Sequence, residues 1–197
     1  MLTISPTLYT KLYQDIVDFR NAFQLPVNEP EKFSLADDEL HNKLYLEETI
    51  ELSEADTQVS RVDALVDSAY VIMGRLVRLV HLGHRNLAVA RASEPARIFA
   101  LETVWNVCKT SFKEDTFVKC WDNIHASNLS KVCKTEQERD DTLRKYKKLK
   151  IPTLVEEVKG LYVVKGAKDA TIADKHYPKG KVLKNAHYKA ADLVPLV

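Results

Sequence analysis

Carboxylate side chains recur at short, regular intervals in two neighbouring segments of the chain. The first segment contains Glu47, Glu48 and Glu51, and the second contains Asp63 and Asp67. Residues three or four positions apart lie on one face of a helix, so Glu48 and Glu51 point together, as do Asp63 and Asp67. A short connection between two such helices predicts an antiparallel hairpin, with Glu48 opposite Asp67 and Glu51 opposite Asp63. The spacing therefore predicts four carboxylates that face one another between two helices.

Two physical outcomes suit such a group of acids. Four carboxylates in a partly buried groove would repel one another and would lose hydration. The acids can turn outward as a solvated face, or a hard divalent cation can lie between them. Ligation by oxygen atoms alone suits Mg²⁺ or Mn²⁺, which keep open positions for water and phosphate oxygens. The residues alone leave both outcomes open.

The acids belong to segments whose apolar residues repeat at helical spacing. Ser5 and Pro6 are a typical start for the first helix, and the third helix has a broad apolar surface that predicts burial in the middle of a bundle. Residues 82–96 are ambiguous, although Gly83 is a helix-ending signal. The pattern predicts helices over 6–24, 35–55, 59–81, 96–111, 116–125 and 136–150.

The sequence pattern changes after residue 151. The runs 161–165 and 181–184 resemble β-strands, each near a glycine, and are predicted to pair as a small hairpin. We therefore predict an all-α helical bundle with a small irregular or β-hairpin appendix over about 151–197. A chain of 197 residues is long enough for one sizeable core, so residues 1–197 are expected to form a single domain.

The composition excludes several classes of function. The chain contains 29 Lys and Arg and 28 Asp and Glu, a net charge of +1, which argues against a dedicated nucleic-acid partner. No glycine-rich phosphate-binding motif occurs, and no apolar stretch is long enough to span a membrane. The absence of a secretory signal and the three widely spaced cysteines predict reduced thiols and a cytoplasmic location.

The acidic motifs, EETIE at 47–51 and DALVD at 63–67, resemble those of the all-α nucleoside triphosphate pyrophosphohydrolases. This superfamily comprises MazG-like enzymes, dimeric dUTPases and phosphoribosyl-ATP pyrophosphohydrolases. The sequence is most similar to a phosphoribosyl-ATP pyrophosphohydrolase-like branch common in bacteria and phages, which would imply a host cytoplasm if a phage encodes the chain. Three further blocks resemble that branch: DFRNAFQLP at 18–26, HASNLSK at 125–131 and GKVLKNAHY at 180–188.

The resemblance implies metal-dependent cleavage of a (d)NTP to a (d)NMP and pyrophosphate, with Mg²⁺ or Mn²⁺. It implies that Glu48, Glu51 and Asp67 are metal ligands. The family's usual second motif would place a glutamate at position 64, where this chain has Ala64. Asp63, one residue earlier, is expected to substitute for that acid as the fourth ligand.

The resemblance also implies roles for residues outside the ligand set. Glu47 would orient or deprotonate the attacking water, and Lys131 would counter phosphate charge as a catalytic and substrate-binding residue. The remaining residues expected to bind substrate are Asn21, Asn128, Lys184 and Tyr188. Family members often complete their sites across subunit interfaces, which implies a homo-oligomer, either a dimer or a tetramer.

The alternative is a catalytically idle helical module that senses nucleotides or binds a partner protein. Ala64 and the unusual segment between Gly83 and Ser111 are the reasons to retain this alternative. A dependence on Mg²⁺ separates the two functions, because an interaction module does not need the metal.

Overall fold

The computed structural model describes residues 3–27, 29–79, 85–112, 115–172, 175–177 and 179–197, without the side chains of Ser111 and Lys175. The chain divides into two compact units. Unit 1 comprises Met1–Asn21, Pro26–His125 and Asp192–Val197, and unit 2 comprises Ala22–Leu25 and Ala126–Ala191. The expectation of a single domain over 1–197 stays a prediction.

Helices make up most of the described chain, which confirms the prediction of a mainly helical fold. Five of the predicted helices are close to their expected bounds, and α6 continues four residues further than expected. Helix α4 lies in the segment that the sequence pattern left ambiguous, and Gly83 and residues 80–81 lie outside the described residues. The helices are α1 (Pro6–Ala22), α2 (Leu35–Glu54), α3 (Gln58–Leu79), α4 (Leu87–Ser93), α5 (Pro95–Ser111), α6 (Thr116–Leu129) and α7 (Glu136–Lys148).

Helix α3 supplies much of the core of unit 1, as its apolar sequence predicted. Twelve of its residues are buried, whereas none of the residues of α2 is. Helix α2 begins at a capping box, in which the Ser34 hydroxyl accepts from the Asp37 amide and the Asp37 carboxylate accepts from the Ser34 amide. The predicted antiparallel hairpin of α2 and α3 is confirmed, because Arg75 near the end of α3 pairs with Asp38 near the start of α2.

Basic side chains gather at this same end of the α2–α3 hairpin. Arg78 is 2% exposed and donates to the Glu29 carbonyl, and Arg20 is buried and donates to the Pro26 carbonyl over 2.6 Å. Burial, together with Arg20 and Arg75, lowers the pKa of His41 to about 4. His41 is therefore a neutral imidazole at physiological pH.

Unit 2 contains two short antiparallel sheets. Strand β1 (Thr153–Val158) pairs with β2 (Leu161–Gly166), and β3 (Ala170–Ile172) pairs with β4 (Lys175–Tyr177). The β1–β2 turn places Lys159 and Gly160 at positive φ, as a two-residue hairpin turn of type I′ requires. A small hydrophobic core lies in this unit, comprising Cys133, Tyr146, Ile151, Val164 and Leu183.

The strand at 161–165 does pair with the 181–184 segment, as predicted, but only through a short antiparallel bridge and not as a hairpin. That strand pairs along its length with β1, whereas the 181–184 segment contributes an isolated bridge between Val182 and Lys165. The physical reason is the cost of loop closure, because β1 is separated from β2 by only two residues. No helix in the described part of the chain has the length and apolarity needed to cross a membrane.

Candidate acidic site on the α2–α3 hairpin

Glu48 is the best-defined member of the acidic cluster in unit 1. It lies on α2 and is half-buried, and its Oε2 atom is buried without a hydrogen-bond partner among the described residues. The pKa of Glu48 rises to about 8, first because of burial and then because of the negative charges of Asp67, Glu51, Glu47 and Asp63, in that order. The hairpin therefore brings all five acids of the two motifs close enough to interact.

The order of these influences matches the predicted register of the hairpin. Asp67, which the spacing places opposite Glu48, has a larger effect on it than Glu51, its neighbour one turn away on the same helix. Asp63 has the smallest effect of the four on Glu48, and it also helps burial to raise the pKa of the Cys120 thiol on α6. Asp63 and Asp67 are half-buried and have further interaction partners.

The donor set suits a hard divalent cation. Carboxylate oxygens are the preferred ligands of Mg²⁺ and Mn²⁺, and a buried carboxylate oxygen without a partner is the type of atom that such an ion satisfies. Within the described ranges, no three His, Cys, Asp or Glu side chains already converge as a metal-binding group. The acids are adjacent, but they do not form a closed coordination shell.

A tyrosine–histidine pair lies one turn along α3 from Asp67. The Tyr70 hydroxyl and His125 Nδ1 are 3.0 Å apart, and Tyr70 packs its ring against Trp121, with 5.1 Å between the centroids. Burial lowers the pKa of His125, which keeps its imidazole neutral near pH 7. This hydrogen-bonded pair was not predicted, because its only signal in the sequence is the three-residue spacing between Asp67 and Tyr70.

An ionic network fixes α6 against α1 next to this pair. The Lys11 ammonium lies 2.7 Å from Asp15 and 2.6 Å from Asp122, and the Trp121 indole donates to Asp15 over 2.8 Å. These contacts hold the helix that carries His125. Asn21, which was expected to bind substrate, is an exposed residue near the end of α1.

The other four expected substrate-binding residues lie together in unit 2. The Lys131 ammonium donates to Asn128 over 2.6 Å, and the Lys184 ammonium lies 4.5 Å from the centre of the Tyr188 ring. The Tyr188 hydroxyl is 2.8 Å from the hydroxyl of Ser127, next to Asn128 in sequence. The chain segments 126–131 and 184–188 therefore present two lysines, an amide and an aromatic ring in one part of unit 2.

Comparisons with known proteins do not assign this chain. No family model, no curated protein and no solved structure matches it.

Proposed function

We propose that this protein is a Mg²⁺- or Mn²⁺-dependent nucleoside triphosphate pyrophosphohydrolase with a MazG-like helical bundle. It would cleave a (d)NTP to a (d)NMP and pyrophosphate. The observation that carries this proposal is the environment of Glu48, a half-buried carboxyl whose strongest electrostatic neighbours are four other carboxylates. The motif resemblance supports the same reaction.

The energetics of the cluster favour a cation-binding role over a solvated acidic face. A surface helix that only needs solubility turns its acids into water, where their pKa values stay close to the ordinary values. Glu48 instead has an elevated pKa and a buried oxygen atom without a hydrogen-bond partner among the described residues. Such an arrangement is costly without a counter-charge, and functional sites are where perturbed carboxyl groups concentrate.

In this proposal, Glu48, Glu51, Asp63 and Asp67 hold the metal. When bound, the metal supplies charge neutralisation for the phosphates and lowers the pKa of water. Glu47 is exposed beside the cluster and accepts a proton from the attacking water. The motif resemblance assigns Lys131, Lys184, Asn128, Tyr188 and Asn21 to binding of the nucleotide, and these assignments stay predictions.

Self-association is part of the proposal. Helix α2 has no buried residue and exposes several large apolar side chains, with Leu35 85% exposed and Leu46 56% exposed. Exposed apolar side chains along one helix are typical of a surface that a second subunit covers. We expect a homo-oligomer, either a dimer or a tetramer, and light scattering coupled to size exclusion measures its mass. A Leu46→Glu variant should shift the mass toward that of the monomer.

The products of hydrolysis test the reaction. Each canonical NTP and dNTP is incubated with the protein and Mg²⁺, with Mn²⁺ or with a chelator, and the products are separated by ion-exchange chromatography. The proposal predicts a nucleoside monophosphate and pyrophosphate in equal amounts, only when metal is present. A nucleoside diphosphate with inorganic phosphate would contradict it. Metal-independent nucleotide binding without any product would instead support the interaction module.

A further inference from the structure

The two structural units carry opposite net charges. The residues of unit 2 include sixteen Lys and Arg and eight Asp and Glu, a formal charge of +8 with His neutral. The residues of unit 1 include thirteen Lys and Arg and twenty Asp and Glu, a charge of −7. The whole-chain charge of +1 conceals this separation, and a strong local charge asymmetry is typical of proteins that bind polyanions.

Part of the positive charge of unit 2 lies in one patch. Helix α7 begins with acids and ends with lysines, among them Lys145 and Lys148, which are three residues apart and share a face. Lys184 lies close to Lys145. The hydroxyl of the adjacent Tyr146 donates to the Lys184 carbonyl over 3.0 Å, and burial and then the charge of Lys184 lower the pKa of Lys145. We call Lys145, Lys148 and Lys184 the lysine patch.

The acids close to α7 are bound to other groups. Asp141 pairs with Arg144 and lies 3.1 Å from His187, and Asp140 pairs with Arg139. No ion pair involves a member of the lysine patch within the described residues. Like-charged side chains held together without carboxylates favour an anionic partner.

We propose that the lysine patch binds the phosphate backbone of single-stranded nucleic acid. A nucleic-acid strand presents one phosphate per nucleotide and can contact lysines along the whole unit, whereas one nucleotide can contact only a few of them. Further exposed lysines add to the positive charge of unit 2, namely Lys134, Lys159, Lys168, Lys179, Lys181 and Lys189.

An aromatic ring next to the patch favours the single-stranded form. The Tyr188 ring lies against the Lys184 ammonium, and aromatic rings beside lysines are where unpaired bases stack. The negative charge of unit 1 repels a polyanion, so binding should be confined to unit 2. This inference does not rest on the proposed hydrolase activity.

Fluorescence anisotropy of a labelled single-stranded oligonucleotide, with the full chain and a chelator present, tests the proposal. The apparent affinity should fall with salt at a logarithmic slope of about −2 to −3.5, which corresponds to about three to five phosphate contacts. The Lys145→Glu/Lys148→Glu variant should bind about tenfold or more weakly at 100 mM salt, about the ionic strength at which such contacts are partly screened. The charge-matched control is Lys32→Glu/Lys43→Glu in unit 1, which should bind within about twofold of wild type.

Circular dichroism shows whether each variant is folded. If the glutamate variant is unfolded, the neutral variant Lys145→Gln/Lys148→Gln serves as the second test, and its loss of affinity for the oligonucleotide should be intermediate. The proposal is overturned if the wild-type protein does not bind the oligonucleotide at low salt, or if the unit 1 control loses as much affinity as the patch variant. It is also overturned if only free dNTP or only vesicles of anionic lipid bind to the patch. The Glu48→Gln variant should bind the oligonucleotide normally, which separates this result from a failure of the hydrolase proposal.

Discussion

Replacing Glu48 by glutamine should stabilise the metal-free protein while it removes the proposed activity. Glutamine keeps the size of the side chain but has no charge to be repelled by Asp67 and the other carboxylates. The raised pKa of Glu48, about 8, means that the folded state binds a proton more tightly than the unfolded state, whose value is close to 4.5. The stability of the wild-type protein should therefore fall as the pH rises from about 4.5 to about 8.

The size of the effect follows from the pKa difference. A shift of this extent would correspond to about 5 kcal/mol for a fully buried carboxyl, at about 1.4 kcal/mol for each pH unit. Glu48 is only half-buried, and solvent screening reduces the contribution to about 2 kcal/mol. For a chain of 197 residues, the Tm of Glu48→Gln should therefore lie about 4–8 °C above that of wild type at pH 8.5. Near pH 4.5 the two proteins should have the same Tm.

Thermal unfolding followed by circular dichroism, at several pH values and with a chelator, measures this difference. Glu54→Gln is the matched control, because Glu54 is exposed near the end of the same helix and is not part of the cluster. Added Mg²⁺ should then raise the Tm of wild type and of the control but not of Glu48→Gln. Equal stability of Glu48→Gln and wild type at pH 8.5 would refute the argument that Glu48 is held in a repulsive environment.

Four further predictions concern other parts of unit 1. Asp67→Asn should reduce metal-dependent pyrophosphate release by about 100-fold, because the proposed ligand loses its charge, and a coupled phosphate assay measures the loss. Ser34→Ala removes the capping box of α2 and should lower the free energy of unfolding by about 1 kcal/mol in urea titrations. The depressed pKa of His41, about 4 against 6.5 in the unfolded chain, should make stability rise with pH between about 4 and 6.5, and His41→Asn should flatten that part of the pH profile of Tm. Tyr70→Phe removes the hydrogen bond to His125 and should cost about 1 kcal/mol in the same urea titrations.

Most helices of unit 1 could be predicted from the sequence because their apolar residues repeat at helical spacing. Helix α3 is the clearest example, since its apolar residues repeat on most sides and most of them are buried. Strand β1 was missed because Glu156 and Glu157 interrupt its apolar pattern and its turn has Lys159, not the usual asparagine or aspartate, at the first positive φ. Helix α4 was missed because it is short and lies, together with its cap Asn86, inside the ambiguous segment 82–96.

The acidic cluster could be predicted from spacing because an antiparallel hairpin with a short connection has one register. The elevated pKa of Glu48 could not be predicted, because it depends mainly on how much of the side chain the fold buries. The lysine patch was concealed for a different reason. The net charge of the whole chain hides the difference in charge between the two units. No change in composition marks the unit boundaries between Asn21 and Ala22 and between His125 and Ala126.

The most direct test of the central claim compares pyrophosphate release by three proteins at saturating nucleotide and Mg²⁺: wild type, Glu48→Gln and the control Glu54→Gln. We expect release by wild type and by Glu54→Gln, loss of release in Glu48→Gln, and loss of release in all three when a chelator removes the metal. Undiminished release by folded Glu48→Gln would show that hydrolysis does not depend on the carboxyl at the centre of the acidic cluster.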